Sequence, residues 1–167
     1  KFSISQDTTL YAKWAVVEQY ILKKRDIYGN EIDFEQTEAS CTTAGTLYTE
    51  ISVQNPSGSD NTWTYYVFPQ SNQKFTVAGN YEISVDLWAQ NDTVVSVSAA
   101  RADMYFTVKN EWKTYTFETG YVQDTNAGIS FGIGMSEKTR IKNLTVKKLD
   151  ETEKCKETRS KILQKVG

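Results

Sequence analysis

Glu82, Ser84, Asp86 and Trp88 recur at every second position of the run Gly79 to Ala89. Two carboxylates, a hydroxyl and an indole in that spacing are where chemistry could sit. Tyr81, Ile83, Val85 and Leu87 fill the intervening positions, so a pleated strand sends the two sets to opposite faces. The apolar set predicts a core. The other set is too polar for an interior and too aromatic for a face that meets only water. It suits a sugar, whose C–H groups lie against a flat ring while its hydroxyls take donors and acceptors. Burying ~50 Å² of apolar surface on an indole is worth roughly 1 kcal/mol, and a net hydrogen bond adds about as much. Weak binding, on the order of micromolar to millimolar, is the expectation. Trp88 and Asp86 are the first candidates for such contacts.

A second constellation is Arg101-Ala102-Asp103-Met104-Tyr105, where Arg101 and Tyr105 could converge with a carboxylate on hydroxyls. A surface ion pair beside a half-buried tyrosine is the plainer alternative. Hydrolysis of a glycosidic bond would need two carboxylates about 5 to 10 Å apart. Asp86 and Glu82 share a face, but acids are common in strands and no substrate-gripping loops are evident, so no enzyme is expected. The chain has no histidine, which removes Ser-His and Cys-His nucleophile pairs and histidine-containing zinc sites. Cys41 and Cys155 make no CxxC pair, and both a disulfide and two isolated thiols stay open.

The 167 residues carry 19 basic and 21 acidic side chains, a net charge of −2. The basic run is short, Lys23-Lys24-Arg25, so neither nucleic acid nor an anionic membrane surface is indicated as a partner. No stretch approaches the roughly 18 apolar residues of a membrane span, and no signal peptide is visible. A start at Lys1 rather than methionine suggests a piece of a longer chain, with neighbouring domains as partners.

Short runs rich in Val, Ile, Thr, Tyr and Phe follow one another at regular spacing. Strands are predicted at residues 32–35, 47–53, 63–68, 81–88, 94–99, 104–108, 112–118, 128–135 and 140–149. The fold class is therefore all-β, a sandwich or barrel rather than an open sheet with crossover helices. The domain is expected over residues 30–149, with 15–29 as a linker ending in the turn Tyr28-Gly29-Asn30. Residues 150–167 read as a charged tail, either a weakly docked helix or a linker.

Two resemblances add to this reading. Asp7-Thr8-Thr9-Leu10-Tyr11-Ala12-Lys13-Trp14 resembles the closing strand of the Listeria–Bacteroides repeat, a β-rich spacer of bacterial cell-surface proteins, and implies that residues 1–14 end such a repeat. The ordered segments Gly79-Asn80-Tyr81-Glu82-Ile83-Ser84-Val85, Asn110-Glu111-Trp112-Lys113-Thr114-Tyr115, Ile129-Ser130-Phe131-Gly132 and Ile141-Lys142-Asn143-Leu144 are similar to carbohydrate-binding modules of families four, nine and twenty-two. These are β-sandwich jelly rolls attached to secreted glycan-degrading enzymes, and the resemblance implies a two-sheet antiparallel β-sandwich here.

That resemblance implies noncatalytic binding of a polysaccharide or oligosaccharide in an aromatic-lined groove on one sheet, in a secreted or cell-surface bacterial protein. It also implies Tyr65 and Val67 inward and Tyr66 on the face where such modules often hold ligand. It makes Trp112 mainly a packing residue. Trp63 is expected to cap a sandwich end. Where relatives often carry an aspartate in the closing strand, this chain has Lys142 followed by Asn143. Lysine offers no lone pair to a hard cation, so a structural calcium is doubtful and rests on Glu35 with backbone carbonyls; no other cofactor is implied. The alternative function is a structural or protein-adhesion sandwich of a surface protein.

Overall fold

The computed structural model describes residues 17–45, 47–56, 64–70, 75, 77–100, 102–123, 128–133 and 136–149. The repeat-like segment 1–14, Arg101, Trp63, Cys155 and the charged tail lie outside the described residues. Among these residues the chain forms strands and no helix. They run β1 Tyr20–Arg25, β2 Glu31–Ile32, β3 Ala39–Ala44, β4 Tyr48–Val53, β5 Tyr65–Pro69, β6 Gly79–Ala89, β7 Thr93–Ala99, β8 Ala102–Val108, β9 Lys113–Val122, β10 Ile129–Ile133 and β11 Lys138–Lys148.

They pair antiparallel throughout into a six-stranded sheet, β2-β1-β5-β10-β7-β8, and a five-stranded sheet, β3-β4-β11-β6-β9. The two are called here the larger and the smaller sheet. From β5 onward successive strands cross repeatedly between them, so residues close in sequence can end on opposite sides of the molecule. The expected all-β sandwich is the fold observed.

Strand β6 shows why this sequence builds it. Tyr81, Ile83, Val85 and Leu87 are buried, and Glu82, Ser84, Asp86 and Trp88 between them are half-buried on the other face. With β11 on one side and β9 on the other, β6 is central, so its apolar row meets the inner row of the larger sheet: Val67, Val95, Val97 and Phe131. A one-residue slip would exchange that row for two carboxylates and an indole, which fixes the register. Likewise Thr49, Ile51 and Val53 of β4 are buried. Leu47, the first residue of the predicted strand 47–53, instead lies in the turn where its amide donates to the Ala44 carbonyl, and is 67% exposed.

One segment departs from the sequence reading. Residues 20–25, expected within a linker, form β1 and pair with β5 from Tyr20↔Pro69 to Lys24↔Tyr65. Tyr20 packs edge-on against Phe131 in the core, and Thr49 Oγ1 donates to the Glu18 carbonyl at 2.8 Å. The chain is thus locked into the sandwich from residue 18 onward. Strand β3 was not foreseen either; it is an edge strand of small polar residues with only Ala39 buried.

Candidate functional site

The outer face of the larger sheet carries one transverse row that joins Lys23 of β1, Tyr66 of β5, Gly132 of β10, Ser96 of β7 and Tyr105 of β8. Beside it, Ser130, Ser98 and Asp103 make a second row, and Phe68 stands two residues along from Tyr66. Adjacent strands lie ~4.8 Å apart, so the two tyrosines are separated by about 14 Å. Between them stand a glycine and a serine. Ser96 alternates with the core residues Val95 and Val97, yet is itself only 6% exposed. Its hydroxyl accepts from the Gly132 amide at 3.1 Å. This band of small side chains with a tyrosine at either end is called the trough below.

The margins differ. On the β5 side the Arg25 guanidinium lies 4.7 Å from the Tyr66 ring centroid and 5.5 Å from that of Phe68, with Lys23 Nζ 5.6 Å from the latter. Lys23 also pairs with Glu31 at 3.1 Å. On the β8 side Tyr105 is 60% exposed. Tyr65, the inward neighbour of Tyr66, donates its hydroxyl to Glu38, which also takes the Lys24 ammonium at 2.5 Å. This polar rim ties β1, β5 and the segment before β3 together beneath the β5 margin.

Trp88 and Asp86 are on the other sheet. They project from the outer face of the smaller sheet, back to back with the trough, so they cannot join Tyr66 and Tyr105 on one ligand. Parity along β6 had placed Trp88 and Asp86 outward, and the resemblance had placed Tyr66 outward on β5; the burial patterns of both strands agree. Parity carried no information on which sheet each strand enters. Asp86 accepts from Thr114 Oγ1 at 2.5 Å and from Asn143 Nδ2 at 2.8 Å. Asn143 has φ 55° and sits where the β11–β6 register shifts between Lys142 and Thr145, so the carboxylate holds a β-bulge in place. Trp88 is overlaid by Arg140, whose guanidinium is 4.0 Å from the indole centroid and 4.6 Å from the ring of Tyr48. Arg140 Nε donates to Glu50 Oε2 at 2.7 Å. Trp112 lies 5.8 Å from Tyr48 and carries the Lys142 ammonium at 4.1 Å.

Tyr48, Glu50, Arg140 and Lys142 were not singled out as contact residues from sequence. The signal was present as Lys138, Arg140 and Lys142 at alternate positions of one strand. Glu35 is exposed, its backbone amide donates to Glu38 Oε2, and the Glu38 carboxylate is engaged by Lys24. Among the described residues no group of three or more carboxylate or thiol side chains converges. Cys41 is half-buried with its sulfur 3.6 Å from the Tyr20 carbonyl oxygen, and burial pushes its thiol up to about 11. No helix among the described residues is long and apolar enough to cross a membrane.

No protein-family profile and no curated protein sequence matches the chain. Solved structures do share its fold. The chain described as "BiXyn10A CBM1 APO" aligns with a TM-score of 0.60 at 14% identity, over 81% of this chain and 93% of that one. The chain described as "CBM4 structure and function" gives 0.58 at 17% identity, over 78% and 86%. This likeness shows the architecture: an antiparallel jelly-roll sandwich of the kind found in carbohydrate-binding modules.

Proposed function

We propose that the chain is a noncatalytic carbohydrate-binding module of the family four, nine and twenty-two type, working within a larger secreted or cell-surface bacterial protein. Its glycan lies in the trough across the larger sheet. The observation that carries this reading is the row Tyr66, Gly132, Ser96, Tyr105. Two aromatic side chains stand at the margins to take the C–H faces of sugar rings, over a floor with no bulky side chain. Ser98, Ser130 and Asp103 offer hydroxyls and a carboxylate to the ring edges. Arg101, a candidate from the sequence alone, is proposed as a further donor.

A trough open along its length suits a chain rather than a small molecule enclosed in a pocket. Two ring contacts of roughly 1 kcal/mol each and a few hydrogen bonds of similar size give micromolar to millimolar affinity. Several copies or partner modules in the parent protein would raise it by effective concentration. Calorimetry against soluble glucans, xylans, mannans and pectins tests the proposal. Binding to at least one, lost in Tyr66→Ala and Tyr105→Ala, is expected; silence across the panel would leave a structural or adhesion domain.

A further inference from the structure

We propose that the outer face of the smaller sheet is a second binding site, separate from the trough, and that its ligand is an acidic polysaccharide whose uronate carboxylates engage Arg140 and Lys142. Lys142 is held by an aromatic ring rather than neutralised by an acid, and Arg140, paired with Glu50 through Nε alone, is stacked on two rings. Lys142 stands opposite Asp86 in the β11–β6 register, where an ion pair would be the ordinary outcome. Instead the Asp86 oxygens are taken by Thr114 and Asn143, and the ammonium rests over Trp112. Among the described residues no carboxylate lies within 4.0 Å of it.

Arg140 spends one N–H, on Nε, to reach Glu50. Among the described residues its terminal nitrogens make no hydrogen bond. A guanidinium has five N–H donors, so most of its capacity for a planar carboxylate stays open. Clamping between Trp88 and Tyr48 fixes its orientation beforehand and reduces the side-chain entropy lost on binding. Lys138 extends the outward series by one more position on the same strand, and successive outward residues are ~6.7 Å apart.

The ligand class follows from this pairing of few charges with many rings. A densely charged polyanion would call for a strongly basic chain, and this one has a net charge of −2. A uronate polymer presents one carboxylate per sugar together with C–H faces for Trp88, Trp112 and Tyr48.

The test is calorimetry of the whole chain with polygalacturonate and with a neutral glucan, at about 20 mM and about 500 mM NaCl, where screening lengths differ severalfold. Polygalacturonate is expected to bind at low salt and to weaken at high salt. Lys142→Gln should lower that affinity at least about fivefold with its melting temperature unchanged, and Lys142→Arg should restore it. The double variant Tyr66→Ala, Tyr105→Ala should bind polygalacturonate as the parent does. No binding of polygalacturonate, or binding indifferent to Lys142→Gln, overturns the proposal. Loss in the tyrosine double variant would assign acidic glycans to the trough and overturn it as well, while leaving the trough reading intact.

Discussion

Replacing Tyr66 by alanine removes one margin of the trough without touching the core. Its neighbours Tyr65 and Val67 point inward, and the Tyr66 ring meets Arg25 on the outer face. A sugar ring laid on the phenol buries ~50 Å² of apolar surface, worth about 1.2 kcal/mol at ~25 cal/mol per Å². A hydrogen bond from the hydroxyl adds about 1 kcal/mol. The sum of about 2 kcal/mol is roughly a thirtyfold loss of affinity. Stability should shift by no more than ~0.5 kcal/mol, the usual range for an outward side chain.

Calorimetry with whichever soluble glycan binds the parent chain reads the first quantity, and thermal melting followed by circular dichroism reads the second. An affinity within twofold of the parent would refute the placement of ligand in the trough. A large fall in melting temperature with proportionate loss of binding would show that Tyr66 is a packing residue instead.

Three further outcomes follow from the geometry. Leu87→Ala, at a position 0% exposed in the central strand, should destabilise the chain by about 2 to 5 kcal/mol in denaturant titration. Asn143→Ala should cost about 2 kcal/mol, because it forces a Cβ-bearing residue without a local hydrogen bond into φ 55° and frees Asp86,. The Lys24 ammonium, with the Glu35 amide and the Tyr65 hydroxyl assisting, holds the Glu38 carboxyl below the usual glutamate range. Its contribution is therefore present above that range and lost as pH falls through the lower folded value. Melting temperature should drop on acidification below about pH 4, and Glu38→Gln should make that drop shallower.

Much of the sandwich was legible because alternation is a local property. The β6 row reads as inward or outward from composition alone, whereas in Tyr65-Tyr66-Val67-Phe68 both sets contain aromatics, so only the resemblance placed Tyr66 outward. Strand β1 was hidden because Tyr-Ile-Leu-Lys-Lys-Arg shows no alternation. Its Lys24 lies on the inward side and reaches the rim to meet Glu38, an arrangement that only tertiary contact explains. Sheet membership was equally out of reach. Tyr66 and Trp88 both read as outward aromatics on consecutive strands, and one sheet for both was the simplest reading. The chain crosses between β5 and β6, and that crossing puts them on opposite sides. Nor does sequence show that Arg140 covers Trp88, since that contact joins β11 to β6 across 52 residues.

The measurement closest to the central claim is a titration of isotope-labelled protein with a bound oligosaccharide, followed by amide chemical shifts. The Gly132 amide, bonded to Ser96 Oγ at the trough floor, should move together with Ser96, Ser98, Ser130 and Tyr105 while the amides around Trp88 and Arg140 stay still for a neutral sugar. Shifts confined to the smaller sheet, with Gly132 unmoved at saturation, would contradict it.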